Sequence, residues 1–80
     1  MNSLINKPAT VTSVYFSTRG DLKAFPRRVE CDGREYTFQD GVECIVQKGQ
    51  QAFSVFTMTD GQQRFRLRCQ TGAWTLLGIG

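Results

Sequence analysis

Arg64-Phe65-Arg66-Leu67-Arg68-Cys69 alternates cation and apolar side chain without a break. Successive side chains on an extended chain point to opposite faces, so this period of two reads as a β-strand with one apolar and one cationic face. Turn signals flank it, Asp60-Gly61 before and Thr71-Gly72 after, and beyond each lies another apolar-rich run, residues 52–59 and 73–79. Together the three runs predict an antiparallel meander.

Working outward, residues 27–31, Asp32-Gly33 and residues 34–39 read as a hairpin, since Asp-Gly accepts the positive φ angles of a two-residue type I′ turn. Pairing Cys31 with Arg34 sets Val29 opposite Tyr36 on one face and Arg28 opposite Thr37 on the other, as a half-buried sheet requires. The same register brings Glu30 against Glu35, a like-charge pair that a nearby arginine must soften. Asp40-Gly41 precedes Val42-Glu43-Cys44-Ile45-Val46, where a three-residue turn with a glycine bulge sets Phe38 against Val42 and Tyr36 against Cys44. Lys48-Gly49-Gln50-Gln51 is the next polar connection. Toward the N-terminus, Thr10 to Phe16 is dense in β-branched and aromatic residues and reads as the first strand. Pro8 lacks a backbone donor and marks where regular structure begins, with at most a short edge pairing at Leu4-Ile5. Thr18-Arg19-Gly20-Asp21 supplies a turn, and Pro26 restricts the second strand to an edge or to a start near that point.

Seven short strands result, residues 9–17, 25–31, 34–39, 42–47, 52–59, 63–70 and 73–79. Nowhere do apolar residues recur at the i, i+3, i+4, i+7 spacing of a helix that might cover a sheet. The strands must therefore bury their apolar face on one another. The expected fold is all-β: one domain over residues 1–80, a small antiparallel, partly open barrel or two-layer sheet of six to seven strands in mostly meander order. Val11, Val29, Tyr36, Phe38 and Cys44 are core candidates, as are Val46, Phe65, Leu67 and Trp74. Cys31, Cys44 and Cys69 are all expected to face inward and to react slowly with thiol reagents.

A chain of 80 residues buries only about 60–65% of the surface that its unfolded form exposes, so the core is thin. With 40% hydrophobic and 21% charged residues it is nevertheless too apolar for disorder. The net charge of +3 and the isoelectric point near 9.0 favour anionic partners by long-range attraction. The absence of histidine removes the commonest zinc ligand and the commonest general base. Three scattered cysteines without C-x-x-C spacing read as reduced thiols of a cytoplasmic protein. Neither metal nor cofactor is expected, a metal site being available only if the three thiolates meet in space. The carboxylates fall in turns or singly on strands, and Ser54 or Cys44 as a nucleophile would work without histidine. An enzyme is not expected. No apolar stretch resembles a signal peptide or approaches the roughly 20 residues of a membrane span, so a soluble, cytoplasmic protein without a membrane partner is the expectation.

Function is read from the decorated faces. Arg64, Arg66 and Arg68 share one side of their strand at a spacing of about 6.5–7 Å, close to the phosphate repeat of a nucleic-acid strand. A two- or four-residue Asp60-Gly61 loop places Phe53 and Val55 opposite the arginines, and a three-residue loop places Ser54 and Phe56 there. In either register a phenylalanine joins the basic face, the arrangement by which small β-barrels stack bases and hold single strands. A non-catalytic module binding single-stranded nucleic acid through Arg64, Arg66, Arg68 and Phe53 or Phe56 is the expected function. The alternative account of the same face is an ordinary solvated surface, its arginine stems covering a phenylalanine. Lys23, Arg27, Arg28 and Arg34 form a second basic group, but Glu30, Asp32 and Glu35 lie among them and predict a salt-bridged surface. The last run, Ala73 to Gly80, carries no charged side chain. As an uncharged terminal strand at a sheet edge it invites a homodimer or a protein partner adding a strand, the alternative function. Trp74 on that run is assigned to the core, or else to an interaction surface.

Gly33-Arg34-Glu35-Tyr36, Asp60-Gly61, Phe65-Arg66-Leu67 and Trp74-Thr75-Leu76 resemble a family of short bacterial proteins with a G-R-x-Y, D-G, W-x-L pattern. The resemblance covers roughly the last fifty residues and departs at residues 41–51, which lack a tryptophan. It implies a small bacterial β-domain and carries over no functional residue, the family being functionally uncharacterised.

Overall fold

The computed structural model describes residues 3–17 and 23–80, with side chains at residues 4–16 and 24–80. Seven strands form: β1 (Ser3–Ser17), β2 (Lys23–Cys31), β3 (Arg34–Thr37), β4 (Asp40–Lys48), β5 (Gln51–Thr59), β6 (Arg64–Gln70) and β7 (Ala73–Ile79). All pairings are antiparallel in one sheet of order β3-β2-β1-β7-β6-β5-β4. Strands adjacent in sequence pair throughout except β3 and β4, while β1 pairs with β7. The fold is a seven-strand ring opened at a single seam, a small, partly open barrel. Among the described residues no helix is long and apolar enough to cross a membrane.

Turn chemistry explains most of this order. Asp32 (φ 55°) and Gly33 (φ 77°) both occupy the left-handed region, giving the type I′ turn, and the ladder beyond it pairs Cys31 with Arg34, Val29 with Tyr36 and Arg28 with Thr37. Glu30 does face Glu35, and Arg28 Nε lies 3.6 Å from Glu35 Oε1, the softening cation. Thr71 (φ 51°) and Gly72 (φ 80°) repeat this turn between β6 and β7. The turn expected at residues 18–21 lies outside the described residues.

Three expectations are corrected. First, β1 begins at Ser3 and runs through Pro8, which pairs with Thr75. The two-residue Thr71-Gly72 turn makes Gln70 and Ala73 a hydrogen-bonded pair; by alternation Trp74 and Leu76 bond toward β1 and Thr75 does not, so the missing donor of Pro8 faces no ladder. Second, the early start of β1 lays residues 3–9 along β7, so the uncharged last strand lies between β1 and β6 and is not an edge. Third, Asp40-Gly41 is no hairpin. Phe38 N–H donates to Arg27 O at 2.7 Å and Gln39 N–H to Thr59 O at 2.8 Å, handing the chain from β2 directly to β5 while Phe38 turns into the core.

The curl of the sheet brings β1–β3 over β4–β7. Tyr36 of β3 and Phe38 lie on Phe65 of β6, with ring centroids 5.1 and 5.0 Å apart. Phe25 of β2 stacks on Tyr15 and meets Phe56 of β5 edge-on at 5.7 Å, and Phe56 continues to Trp74 at 5.2 Å. Val29, Phe38, Phe65 and Leu67 are buried as expected, joined by Phe25, Cys31, Phe56, Met58 and Leu76, with Val11, Tyr36 and Trp74 half-buried against them. Cys44 and Val46 are not core. With no β3–β4 hairpin, β4 takes its register from β5 alone, and Cys44 opposite Val55 and Val46 opposite Phe53 fall on the outer face.

That face assignment separates the thiols. Cys31 is buried, and burial raises its pKa; Cys69 packs against the core; Cys44 is exposed. Among the described residues no three Cys, Asp or Glu side chains gather as a metal cluster. Cys44 alone should therefore react rapidly with a thiol reagent in the native protein, with Cys31 the slowest, because the reactive thiolate is disfavoured where the group is buried. Mass mapping of partly labelled protein checks this. Equal labelling of Cys31 and Cys44 would show the β4 register to be wrong.

Candidate functional site

The site rests on β6, whose face is set by the loop before it. Asp60 Oδ1 accepts the N–H groups of Gln62 (2.9 Å) and Gln63 (2.7 Å). Thr59 Oγ1 donates to Gln63 O at 3.0 Å and accepts Gly61 N–H at 3.1 Å. Those backbone donors hold the Asp60 carboxyl below the usual carboxylate range, the Gln63 N–H contributing most. The result is a four-residue loop, residues 60–63, closed by the Thr59–Arg64 pair.

This loop puts Arg64 opposite Thr59, Arg66 opposite Thr57 and Arg68 opposite Val55, leaving Phe65 and Leu67 inward and 1% and 0% exposed. Phe53 shares the arginine face, and the Arg68 guanidinium carbon stands 6.0 Å from its ring centroid. Phe56 does not share it. It opposes Leu67 inside the barrel and is 4% exposed, so it is a core residue and not a stacking platform.

Among the described side chains of the second basic group only Arg28 is ion-paired, and Arg27 and Arg34 have no described carboxylate within salt-bridge distance. Arg28 has Glu35, and Lys7 Nζ reaches Asp32 Oδ2 at 2.8 Å, a contact that raises the lysine pKa and lowers that of the aspartate. The side chain of Lys23 lies outside the described residues. No described carboxylate comes within salt-bridge distance of Arg64, Arg66 or Arg68. Such a guanidinium row, exposed at Arg64 and Arg66 and half-buried at Arg68, gives this face a positive potential.

A cleft of about 780 Å³ opens beside this row, lined by Arg64, Arg66, Thr57 and Gln62 on one side and by Leu4, Asn6 and Leu77 on the other. It forms where β7 bulges between its Arg66 and Leu67 pairings and where β1 shifts register between Leu4 and Lys7, around Asn6 at φ 52°. Leu4 has no place in a reading that begins the first strand after Pro8, its only sequence signal being the short apolar pair Leu4-Ile5, whereas Leu77 lies in the last predicted strand, residues 73–79. On the far side of Arg66 the same face continues through Val55 and Val46 to the exposed Val42 and Cys44.

No protein-family model, no curated protein and no solved structure matches the chain.

Proposed function

We propose that the chain is a non-catalytic module that binds single-stranded nucleic acid across the outer face of β5 and β6. Arg64, Arg66 and Arg68 contact successive phosphates, and Phe53 with its covering Arg68 guanidinium offers a stacking surface to one base. The observation that carries the reading is the row of three arginines at strand spacing without a carboxylate partner among the described residues. The adjoining cleft, basic on one wall and apolar on the other, has the character a splayed-out base requires, a flat apolar contact beside hydrogen-bond donors. Three free thiols fit the reducing cytoplasm as the place of action.

Fluorescence-anisotropy titration of a labelled oligonucleotide at several salt concentrations tests this. Three phosphate contacts on a single strand give a log-affinity slope against log salt of about −2. Arg66→Ala should weaken binding and make the slope shallower by about 0.7–1, and Phe53→Ala should weaken it by about 1–3 kcal/mol. Arg28→Ala, at the ion-paired arginine of the second group, should leave both affinity and slope unchanged. Absence of binding at low salt, or equal effects of Arg28→Ala and Arg66→Ala, would reduce the row to an ordinary solvated face.

A further inference from the structure

Among the described residues β4 is the long free edge of the sheet, nine residues against the four of β3 at the other end. Natural edges are blunted by proline, bulges, brevity or charge. β4 has no proline and no bulge, its ladder to β5 running from Asp40 to Lys48 without a register shift, and its protection is limited to the charges of Asp40, Glu43 and Lys48. Val42 and Ile45 on it are 65% and 70% exposed. Two independent features fix which backbone groups are free. Gly49, at φ 59°, leads a two-residue turn that makes Lys48 and Gln51 a hydrogen-bonded pair. The reciprocal 2.8 Å bonds between Arg64 and Gly80, carried strand by strand through β6 and β5, give the same parity. Even-numbered residues of β4 bond to β5. Gly41, Glu43, Ile45 and Gln47 therefore aim their N–H and C=O groups away from the sheet, the Gly41 N–H being held by Asp40 Oδ1 at 2.8 Å.

We infer that two copies of this chain pair through β4, antiparallel, about a two-fold axis at Cys44. The outward-aimed residues must meet one another, which places the axis at a residue and not between two, and the positions that pair most of the strand are Glu43, Cys44 and Ile45. An axis at Glu43 sets that carboxylate against itself, and one at Ile45 sets Val42 against Lys48. The axis at Cys44 pairs Asp40 with Lys48 of the second copy, Val42 with its Val46, and Cys44 with its Cys44, all on the outer face. Glu43 with Ile45 becomes a hydrogen-bonded pair, joined by Gly41 with Gln47 as Asp40 Oδ1 leaves the Gly41 N–H for Lys48 of the second copy. Opposite charges meet at both ends, apolar side chains meet between them, and the like charges of the two Glu43 side chains lie only diagonally, about 7–8 Å apart. Cys44 falls in a non-hydrogen-bonded pair, where Cα atoms approach to about 4.5 Å, within disulfide range. The outer faces of the two copies then become one surface, apolar at the centre and flanked by both arginine rows, which lie about 24 Å apart at ordinary strand spacing. The pairing stands whether or not that surface binds nucleic acid.

Sedimentation equilibrium over a wide concentration range reads the association directly. Oxidation by copper–phenanthroline, which withdraws two electrons and releases two protons per pair of thiols, should link the dimer through Cys44 and no other cysteine, as mapped by mass spectrometry. Ile45→Pro deletes an N–H that points away from β5 and should give a folded monomer. Lys48→Glu turns two attractive pairs into two repulsive ones and should raise the dimer Kd about tenfold, with Asp40→Lys in the same chain restoring it. This charge-exchange pair decides the matter even if the proline variant fails to fold. A monomer at every concentration, a dimer indifferent to both Ile45→Pro and Lys48→Glu, or a link through Cys69 would overturn the pairing.

Discussion

Phe65→Ala is expected to remove a large share of the stability of this domain. The ring is 1% exposed and is the contact by which β6 meets the opposite layer, touching Tyr36 and Phe38 at 5.1 and 5.0 Å. Truncating such a residue loses both its transfer free energy and its packing, about 3–5 kcal/mol. A domain of this size has a total of only about 4–12 kcal/mol. The loss is severe because the seam between β3 and β4 has no ladder; what holds the two halves together there is the Phe65 cluster and the two backbone bonds at Phe38 and Gln39. Urea unfolding followed by far-UV circular dichroism should show a greatly lowered midpoint or no folded baseline. Arg66→Ala, one residue along and exposed, should stay within about 0.5 kcal/mol of the parent. A loss under about 1 kcal/mol for Phe65→Ala would mean that the two layers are not joined through this ring.

The contrast between Phe65 and Arg66 is also what made the site legible. Alternation within residues 64–69 assigned inner and outer faces of β6 before any fold was known, and the Asp32-Gly33 hairpin was readable to the residue because turn type and polarity agree there. Whether Phe53 or Phe56 joins the arginines was not readable. It depends on the length of the loop after Thr59, which is decided by Asp60 capturing two backbone N–H groups in three dimensions. The cleft was hidden for a different reason: its Leu4 wall exists only because Pro8 happens to present its donor-less side where no strand lies. The same extension of β1 covers β7, while the missing β3–β4 hairpin is what leaves β4 as an edge.

Gly41 shows how a correct signal can carry the wrong cause, and its replacement has the second large expected effect. In Asp40-Gly41 glycine suggests a turn that needs positive φ, yet Gly41 is not among the residues with positive φ and lies within β4. It is glycine for want of space. A β carbon there would collide with Met58 Sδ and stand 2.7 Å from Met58 Cε and 2.8 Å from the backbone oxygen of Thr57. Met58 is fully buried, and Thr57 O, a backbone atom that cannot swing aside, belongs to the strand that β4 pairs with. Gly41→Ala should therefore cost about 1–3 kcal/mol, the usual penalty for overpacking a filled core. A glycine kept for φ would behave otherwise: nothing lies within 4 Å of a β carbon at Gly33, so Gly33→Ala is penalised by backbone conformation alone. The double-mutant cycle separates the causes. Met58→Ala alone should cost about 2–5 kcal/mol, but combined with Gly41→Ala the total should fall short of the sum, because the alanine methyl enters the space that the methionine vacated. Additive losses, or an unchanged urea midpoint for Gly41→Ala, would show that β4 does not lie against Met58, and the outward face of Cys44 and the edge it defines would have to be redrawn.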